Sequence, residues 1–271
     1  THHGKRSGAL SLIGSTSFFP SKPLGGYGDG GALFTDDDEL AERMRWIHIH
    51  GQQRKHFHPV LGINGRLDTL QAAILLAKLD LFEEEIAMRQ AVAEGYATRL
   101  AGAPLTLPVV GEGNTSVFAQ YTVLSKDRDA LQARLSDAGI PSVPYYAVPL
   151  HLQPVFAGLN HTAGDFPVSE SISATGLSLP MGPYVTPEDQ DRVAAAVDIA
   201  RKGAGAGLGV EGGAGALPVV RLGLQPQQDV LHLLVPGPER EGLLGKRQRG
   251  GTVALADLLA QAFGVRRADV V

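Results

Sequence analysis

The chain has 271 residues, 44% of them hydrophobic, which is enough for one large domain or two smaller ones with a buried core. A formal net charge of −4 argues against nucleic acid or an anionic membrane as a partner, and the absence of cysteine excludes disulfides and thiolate metal sites. No apolar run reaches the roughly 18–20 residues of a membrane span, and the first ten residues lack the pattern of a signal peptide. We therefore expect a cytoplasmic protein.

Two short strands and a helix are predicted near the start of the chain. Residues 9–19 mix small and apolar side chains as a buried strand does, and residues 31–35 are typical of a second, shorter strand. A helix is predicted to begin within residues 35–38, because a hydroxyl and three carboxylates precede a run with helical periodicity. The apolar face of this helix comprises Leu40, Met44 and Ile47.

A long helical pattern runs from Arg66 to Leu100. Its apolar residues recur at spacings of four, three and four, which predicts one buried face. The residues on that face are Leu70, Ile74, Ala77 and Leu81. We expect the helix to break or bend near residues 80–85. Together with the preceding elements it makes up the first predicted domain, residues 1–104.

The second predicted domain, residues 105–202, has an α+β pattern. Residues 117–125 alternate in polarity as a strand does, and residues 127–139 predict an amphipathic helix that Gly139 ends. After a stretch punctuated by prolines, a further helix is predicted to begin at Thr186, because a proline occupies the position that follows it. This helix is expected to turn Val193, Val197 and Ala200 inward.

The composition changes abruptly at Gly203. Seven of the 13 residues in 203–215 are glycine, which predicts a flexible linker over residues 203–216. The remainder, residues 217–271, has a strand-like VLHLLV and a helical TVALADLLAQAF, and we expect a separate small α/β unit. The run ALADLLAQAFGVRRADVV weakly resembles the end of a small bacterial α/β family. A simple helix-plus-strand extension is the alternative.

A glycine-rich stretch near the start, SFFPSKPLGGYGDGGALFTDDDEL, raises the question of nucleotide binding. Gly26, Gly28 and Gly31 have the spacing of the dinucleotide fingerprint, but that motif must open a helix, whereas here a strand is predicted to follow. A Walker loop does not fit either, because Lys22 precedes the glycines instead of following them. We therefore favour neither nucleotide-binding interpretation.

Lys22 fits the pattern of a lysine that forms a Schiff base with a carbonyl compound. Such a lysine needs a fixed backbone, and here a predicted strand precedes it while Pro20 and Pro23 stiffen the loop on both sides. The glycines allow the backbone to pass close to a flat cofactor, and Ser17 offers a hydroxyl to a phosphate. The spacing alone leaves open that Lys22 is an ordinary surface lysine in a glycine turn.

Three segments carry a family resemblance. SFFPSKPLGGYGDGGALFTDDDELAERMR, HGQ and GINGRLDTLQAAIL closely resemble the pyridoxal-phosphate-dependent sugar aminotransferases of the DegT/DnrJ/EryC/StrS family. The resemblance covers residues 1–202 and is strongest to members that aminate a UDP-linked 3-keto-glucuronic acid sugar for surface polysaccharide such as lipopolysaccharide. It implies an α/β fold of the fold-type I class: a partial large domain with a parallel sheet, and a smaller α+β domain.

The resemblance also implies roles for five residues. Lys22 would bind pyridoxal 5'-phosphate covalently and move protons, and Ser17 would bind the cofactor phosphate. Asn64 would reach that phosphate from the neighbouring subunit of a homodimer, with Arg66 beside the nucleotide-sugar. Tyr146 would contact the sugar, and glutamate would be the amino donor. No role follows for nucleic acid, membrane or metal.

Two departures from the family pattern matter. The large domain of the family begins well before the equivalent of Thr1, and the earlier part carries the aspartate that pairs with the pyridine nitrogen; residues 1–17 contain no acid that could replace it. We therefore expect a fragment with little or no activity, and the alternative is a non-catalytic remnant or dimerisation module. Tyr145 stands where members often have histidine, and the aromatic pair Tyr145–Tyr146 also fits simple packing of a proline-rich segment.

Four histidines suggest a metal site as a rival hypothesis. They form two His-x-His pairs, whose imidazoles could bind zinc. The residues are His48, His50, His56 and His58. No acid lies between the pairs, whereas two basic residues do, so we favour polar loop histidines near a subunit interface and predict no metal.

Overall fold

The computed structural model describes residues 1–203, 251–263 and 266–270, which fall into two compact units. Unit 1 contains Thr1–Glu84, Gly111–Ser116 and the described C-terminal residues, and unit 2 contains Glu85–Val110 and the chain from Val117 to the end of its last helix. The boundary at residue 84 differs from the one expected near residue 104, because the buried residues of the helix that follows it, Val92, Ala93 and Tyr96, belong to the core of unit 2.

The described residues form seven α-helices and five strands. The strands are β1 (Gly14–Ser17), β2 (Gly31–Thr35), β3 (Tyr121–Leu124), β4 (Gly176–Leu179) and β5 (Arg267–Val270). The helices are α1 (Asp38–His48), α2 (Thr69–Leu79), α3 (Phe82–Arg99), α4 (Arg128–Asp137), α5 (Pro167–Thr175), α6 (Pro187–Gly203) and α7 (Gly251–Phe263). Short 3-10 helices span Ser7–Ala9, Leu150–Leu152 and Pro154–Leu159. No described helix is both long enough and apolar enough to cross a membrane.

Unit 1 is built on a three-stranded sheet in the order β1-β2-β5. Both pairings are antiparallel, with Leu33 opposite Ser15 on one side and opposite Asp269 on the other. The predicted mixture of helix and strand is confirmed, but the parallel sheet is not what the described strands form. The central strand, β2, is buried over nearly its whole length and therefore places Phe34 in the core.

Helix α7 and strand β5 complete unit 1, where the sequence predicted a separate small unit. Leu255 and Leu259 on α7 are both fully buried and share one cluster with Phe18, Phe34 and Leu75. The N–H of Arg266, just before β5, donates a hydrogen bond to Asp36 Oδ1 at 2.7 Å. The strand-like VLHLLV and the predicted linker from residue 204 onward lie outside the described residues.

Two helices, α2 and α3, stand where the sequence shows one long helical pattern. The expected break is confirmed, because α2 ends at Leu79 and α3 begins at Phe82. The predicted buried face of α2 is wrong: Leu70 is 78% exposed, whereas Ala72 and Leu75 are fully buried. The sequence TLQAAILLAKL is apolar on more than one side, so its periodicity does not select the face that packs.

Unit 2 packs α3, α4 and α6 around the antiparallel pair β3-β4. Tyr96 and Tyr121 lie at the centre of this core, with ring centroids 5.0 Å apart. The Tyr96 hydroxyl donates to the carbonyl oxygen of Pro180 at 2.8 Å, and its burial raises its pKa above the usual value. The buried residues Val193 and Val197 confirm that part of the inward face predicted for α6, and the side chain of Ala200 lies outside the described residues.

The N-terminus of α6 has the capping pattern that its sequence predicts. The backbone N–H of Asp189 donates to Thr186 Oγ1 at 3.1 Å, and the N–H of Thr186 donates to Asp189 Oδ2 at 3.1 Å. This reciprocal pair satisfies two N–H groups that the first turn of a helix leaves without partners. One turn later, Gln190 Nε2 donates to the carbonyl oxygen of Val92 at 2.6 Å, which joins α6 to α3.

Candidate functional site

The loop that carries Lys22 is closed at its base by a buried aromatic residue. Phe18 is 1% exposed. Its N–H donates to the carbonyl oxygen of Gly30 at 2.8 Å, and its carbonyl oxygen accepts from the N–H of Gly26 at 2.7 Å. Lys22 itself is exposed, and its N–H donates to the carbonyl oxygen of Phe19 at 2.8 Å. The backbone of Lys22 is thus fixed while its side chain stays accessible.

Two side chains of α2 bind the glycine-rich limb of the same loop. Gln71 Oε1 accepts a hydrogen bond from the N–H of Tyr27 at 2.7 Å. Lys78 Nζ donates to the carbonyl oxygen of Gly25 at 2.7 Å and lies 5.7 Å from the centroid of the Tyr27 ring. Because α2 also contributes Leu75 to the core, the loop is tied to the packed interior of unit 1.

Gly25 is required where two limbs of the loop touch. A Cβ atom on Gly25 would lie 2.6 Å from the carbonyl oxygen of Pro20 and 2.8 Å from that of Phe19. These neighbours are backbone atoms, so they cannot rotate away as the end of a side chain can. At Gly28, by contrast, the closest neighbour would be Gln71 Nε2 at 3.1 Å, which is the end of a flexible side chain.

We expect Gly25→Ala to lower the free energy of unfolding by about 1–3 kcal/mol, because the new methyl group forces the Lys22 loop apart. Gly28→Ala is the matched control, with an expected loss of less than about 1 kcal/mol. Urea unfolding of both variants, followed by amide exchange at Gly26, measures the effect. Equal losses of unfolding free energy in the two variants would show that a side chain at position 25 does not meet the backbone of Pro20 and Phe19.

Ser17 ends β1, close to the base of the Lys22 loop in sequence. Its Oγ accepts a hydrogen bond from the N–H of Phe19 at 3.2 Å, and the residue is exposed. That bond leaves the hydroxyl hydrogen of Ser17 available as a donor to an anion. Ser17 and Lys22 therefore lie at opposite ends of one short turn.

Asn64 and Arg66 form a second exposed pair in unit 1. Arg66 Nε donates to Asn64 Oδ1 at 3.1 Å. The loop before them is paired with the end of α1, since the N–H of Gly65 donates to the carbonyl oxygen of His48 at 2.8 Å. Asn64 keeps its amide N–H groups as donors. Within residues 1–198 no hydrogen bond joins Asn64 or Arg66 to Ser17 or Lys22.

Tyr146 belongs to unit 2, in the proline-rich segment before the first 3-10 helix of that unit. It is 71% exposed, and its ring centroid lies 5.5 Å from that of Tyr145 in an edge-on arrangement. The alternative that these aromatics pack a proline-rich segment is not what the structure shows for Tyr146, whose ring is mostly accessible.

Of the four histidines of the metal hypothesis, His48 ends α1, and His50, His56 and His58 lie in the loop after it. His58 Nδ1 is 3.0 Å from the carbonyl oxygen of His50, so one imidazole is engaged with the backbone. Among the residues that the structure describes, no group of three or more His, Cys, Asp or Glu side chains is arranged to hold a metal ion.

The dinucleotide interpretation fails in the structure for the reason anticipated. Gly31 opens β2, and the next helix begins only at Asp38, with Asp37 Oδ1 accepting from the N–H of Leu40 at 3.0 Å. The side-chain cap of α1 therefore lies well beyond the glycines, and no helix N-terminus follows them directly.

One cluster in unit 2 was not predicted. Glu170 Oε1 lies 3.0 Å from His151 Nε2 and also accepts from the N–H groups of Gly164 at 2.9 Å and Phe166 at 3.2 Å. The bond from Gly164, and to a lesser extent those from Phe166 and His151, lowers the pKa of the Glu170 carboxyl below its usual value, against a smaller opposing effect of burial. Local sequence patterns carry no signal for a pair 19 residues apart.

Comparison with known proteins decides the family. The model of the DegT/DnrJ/EryC1/StrS aminotransferase family matches residues 1–198, nearly three quarters of the chain. The chain belongs to this family. Its fold is accordingly that of the fold-type I transferases that use pyridoxal phosphate. The matched range contains Ser17, Lys22, Asn64, Arg66 and Tyr146.

Two relatives illustrate the sequence similarity to DegT-family enzymes. The chain is 50% identical over 185 residues to the UDP-2-acetamido-2-deoxy-3-oxo-D-glucuronate aminotransferase of Pseudomonas aeruginosa, covering 68% of this chain and 51% of that protein. It is 40% identical over 195 residues to the UDP-N-acetyl-3-dehydro-alpha-D-glucosamine 3-aminotransferase of Acidithiobacillus ferrooxidans, covering 72% and 52%. The chain thus spans about half the length of the curated relatives it matches.

Solved structures agree with this assignment. A DegT/DnrJ/EryC1/StrS aminotransferase from Brucella abortus superposes with a TM-score of 0.67 at 44% identity, covering 73% of this chain and 54% of that one. NtdA from Bacillus subtilis, solved with bound cofactor PMP, superposes with a TM-score of 0.66 at 29% identity, covering 72% and 47%. DegT-family aminotransferases depend on pyridoxal phosphate.

Proposed function

We propose that this chain supplies the lysine-bearing part of an aminotransferase that moves an amino group from glutamate to a nucleotide-linked keto-sugar, with pyridoxal 5'-phosphate as cofactor. One observation carries the proposal: Lys22 has a backbone fixed on the buried Phe18 and an exposed side chain. A catalytic amine needs this combination, because it must reach a bound carbonyl repeatedly from the same position.

The donor groups of the site fit the cofactor. A phosphate needs hydrogen-bond donors, which Ser17 Oγ and the amide of Asn64 can supply, and an aldehyde needs a primary amine, which Lys22 has. When bound, the cofactor supplies an electron sink for the carbon that loses its proton.

Each residue then has a simple task. Lys22 holds the cofactor and, when its amine is released, takes a proton from one carbon and returns it to another as general base and acid. Ser17 orients the phosphate through its hydroxyl. Arg66 has a guanidinium group suited to a phosphate or carboxylate of the nucleotide-sugar, and Tyr146 presents an exposed phenol to the sugar.

The substrate that we propose is a UDP-linked 3-keto-glucuronic acid derivative used for surface polysaccharide, including lipopolysaccharide. The relative from Pseudomonas aeruginosa, which shares 50% identity with this chain, is named for a substrate of this type. A sugar carboxylate would explain the use of Arg66, since a guanidinium binds a carboxylate through two parallel hydrogen bonds. The absence of cysteine is compatible with the cytoplasm, the compartment we propose.

We further propose a homodimer in which Asn64 completes the phosphate site of the neighbouring subunit. Around Asn64 and the start of α2, three large apolar side chains are exposed: Leu61 at 98%, Ile63 at 63% and Leu70 at 78%. Apolar surface of this kind is typical of subunit interfaces.

An isotope-transfer experiment tests the proposal. The chain, in molar excess over the keto-sugar nucleotide, is incubated with pyridoxal phosphate and glutamate labelled with 15N, and mass spectrometry measures the label in the sugar. Little or no activity is expected of this chain on its own, so the protein is used in molar excess to make even slow transfer of the label measurable. If no label moves and no cofactor binds, the alternative of a non-catalytic dimerisation module is the better description.

A further inference from the structure

We propose that Glu170 and His151 are positioning residues that fix the segment of residues 144–150, and with it Tyr146. The proposal adds to the proposed function a pair of residues with no expected contact to substrate. It rests on the proposed function only for the contact between Tyr146 and the sugar. The attachment of the segment itself concerns unit 2 alone.

The segment that carries Tyr146 has few contacts of its own. Most of its side chains are exposed, among them Leu150 at 73%. Its carbonyl oxygens accept a long bond of 3.5 Å from Gln153 Nε2 at Val148, and backbone bonds of 3.1 Å at Pro149 and 3.0 Å at Leu150 from residues 152 and 153. The core therefore does not determine where Tyr146 lies. Its position must come from the two ends of the segment.

The first end is attached to the sheet of unit 2. Val143 and Ser178 exchange two backbone hydrogen bonds of 3.1 and 2.8 Å, which joins the segment to strand β4. Gln132 Nε2 on α4 also donates to the carbonyl oxygen of Ser142 at 3.2 Å. All four residues of β4 are buried, so this end is fixed to the core.

The second end is attached through His151. Its side chain is 8% exposed, although Leu150 and Val155 on the same stretch lie mostly in solvent. His151 Nε2 donates to the carboxylate of Glu170 on α5, and its ring lies 4.7 Å from the ring of Phe166. This partly buried, charge-assisted bond joins the second end of the segment to α5, in a stretch whose other bonds are local backbone bonds of the 3-10 turns.

Glu170 also fixes the loop that covers His151. The N–H of Gly164 lies within 3.0 Å of both carboxylate oxygens, and the N–H of Phe166 donates to Oε1. Asp165 Oδ2 accepts from the N–H of Thr162 at 2.8 Å, which shapes the same loop. The Glu170 carboxylate thus connects three parts of unit 2: His151 at the second end of the Tyr146 segment, the loop of residues 162–166, and α5. We expect its loss to make both the segment and this loop more mobile.

Chymotrypsin cleavage measures how firmly Tyr146 is held. Cleavage after Tyr146 requires the local chain to open, and cleavage after Tyr184, which is also 71% exposed, gives an internal reference in the same molecule. In Glu170→Gln we expect the ratio of the two rates, Tyr146 over Tyr184, to rise about tenfold, because a charge-assisted bond contributes an effect of that size. Glu188→Gln, at an exposed site on α6, should leave the ratio unchanged.

Two substitutions of His151 separate the hydrogen bond from simple packing. His151→Phe keeps a ring beside Phe166 but removes the donor, and we expect it to raise the cleavage ratio as Glu170→Gln does. His151→Gln keeps an N–H donor at similar reach and should retain the low ratio. Equal behaviour of the two variants, or a rise at Tyr146 and Tyr184 together, would overturn the proposal.

Binding of UDP-glucuronic acid, measured by calorimetry, separates this proposal from the proposed function. If the cleavage ratio rises in Glu170→Gln and the dissociation constant also rises about tenfold, both hold. If the ratio rises while the affinity does not change, the positioning pair stands and the sugar contact assigned to Tyr146 fails. If the ratio does not rise, the positioning pair fails, whatever the affinity.

Discussion

Lys22→Ala is expected to reduce the transfer of 15N from glutamate to the keto-sugar nucleotide by at least about 10⁴-fold. The variant loses both the amine that holds the cofactor and the group that moves the proton, and proton transfer alone contributes roughly 10²–10⁴-fold. Fold is not expected to change, because the Lys22 side chain is exposed and has no contact in the core. Amide exchange at Gly26, whose N–H donates to Phe18, and at Phe18, whose N–H donates to Gly30, checks this directly.

Two further results would distinguish lost chemistry from lost structure. Added methylamine should restore part of the transfer by Lys22→Ala, since a free amine can take over the proton transfer without the tether. Lys78→Ala loosens the same loop without removing the catalytic amine, because Lys78 Nζ on α2 donates to the carbonyl oxygen of Gly25, so any transfer that it loses should not return with methylamine. If Lys22→Ala transfers label as fast as the unaltered chain, Lys22 is not the catalytic amine.

Leu259→Ala is expected to lower the free energy of unfolding of unit 1 by about 2–5 kcal/mol, the usual loss for a buried leucine. Leu259 is fully buried in the same cluster as Phe34, so the substitution leaves a cavity beneath α7. Urea unfolding, followed by amide exchange in β2, measures the effect. The exchange measurement reports directly on the ladder that β2 shares with β5.

Leu258→Ala is the matched control, because it makes the same change at the adjacent, half-buried position. We expect it to cost about 1 kcal/mol or less. Equal and small losses at positions 258 and 259, with no faster exchange in β2, would mean that α7 does not pack on unit 1. In that case the segment would be the independent unit that the sequence suggested.

Local elements with strong end signals were predictable from the sequence. Strand β2 lies where the pattern places it, and α1 begins beside the aspartates with Asp37 as its cap. The break between α2 and α3 was also predicted, and so was the end of α4 near Gly139, whose φ of +70° suits glycine. In each case one or two neighbouring residues determine the outcome.

Features that depend on distant contacts were not predictable. The buried face of α2 was assigned to the side of Leu70, because a helix that is apolar on several sides does not show which side meets a partner. Strand β4 was missed, since its short sequence GLSL becomes a strand only through its pairing with β3. The addition of β5 to the edge of β2 joins residues more than 200 positions apart.

The residues of the candidate site also differ in whether the sequence could indicate them. The run that contains Ser17 and Lys22 suggested a Schiff-base lysine but left an ordinary surface lysine open, and the family resemblance gave both residues their roles. The structure shows how Phe18 and Gln71 hold that run, and the two roles stay predictions. The roles assigned to Asn64, Arg66 and Tyr146 rest on the family resemblance and stay predictions. Glu170 and His151 gave no signal, because their relation exists only after the chain has folded.

Borohydride reduction of the chain in the presence of pyridoxal phosphate directly tests whether Lys22 binds the cofactor covalently. With less cofactor than protein, we expect peptide mapping to find a stable adduct on Lys22 and none on Lys5, Lys55, Lys78 or Lys126. An adduct spread evenly over all of these lysines, or a peptide containing Lys22 that keeps its unmodified mass while the cofactor is bound, would contradict the assignment of Lys22 as the residue that holds the cofactor.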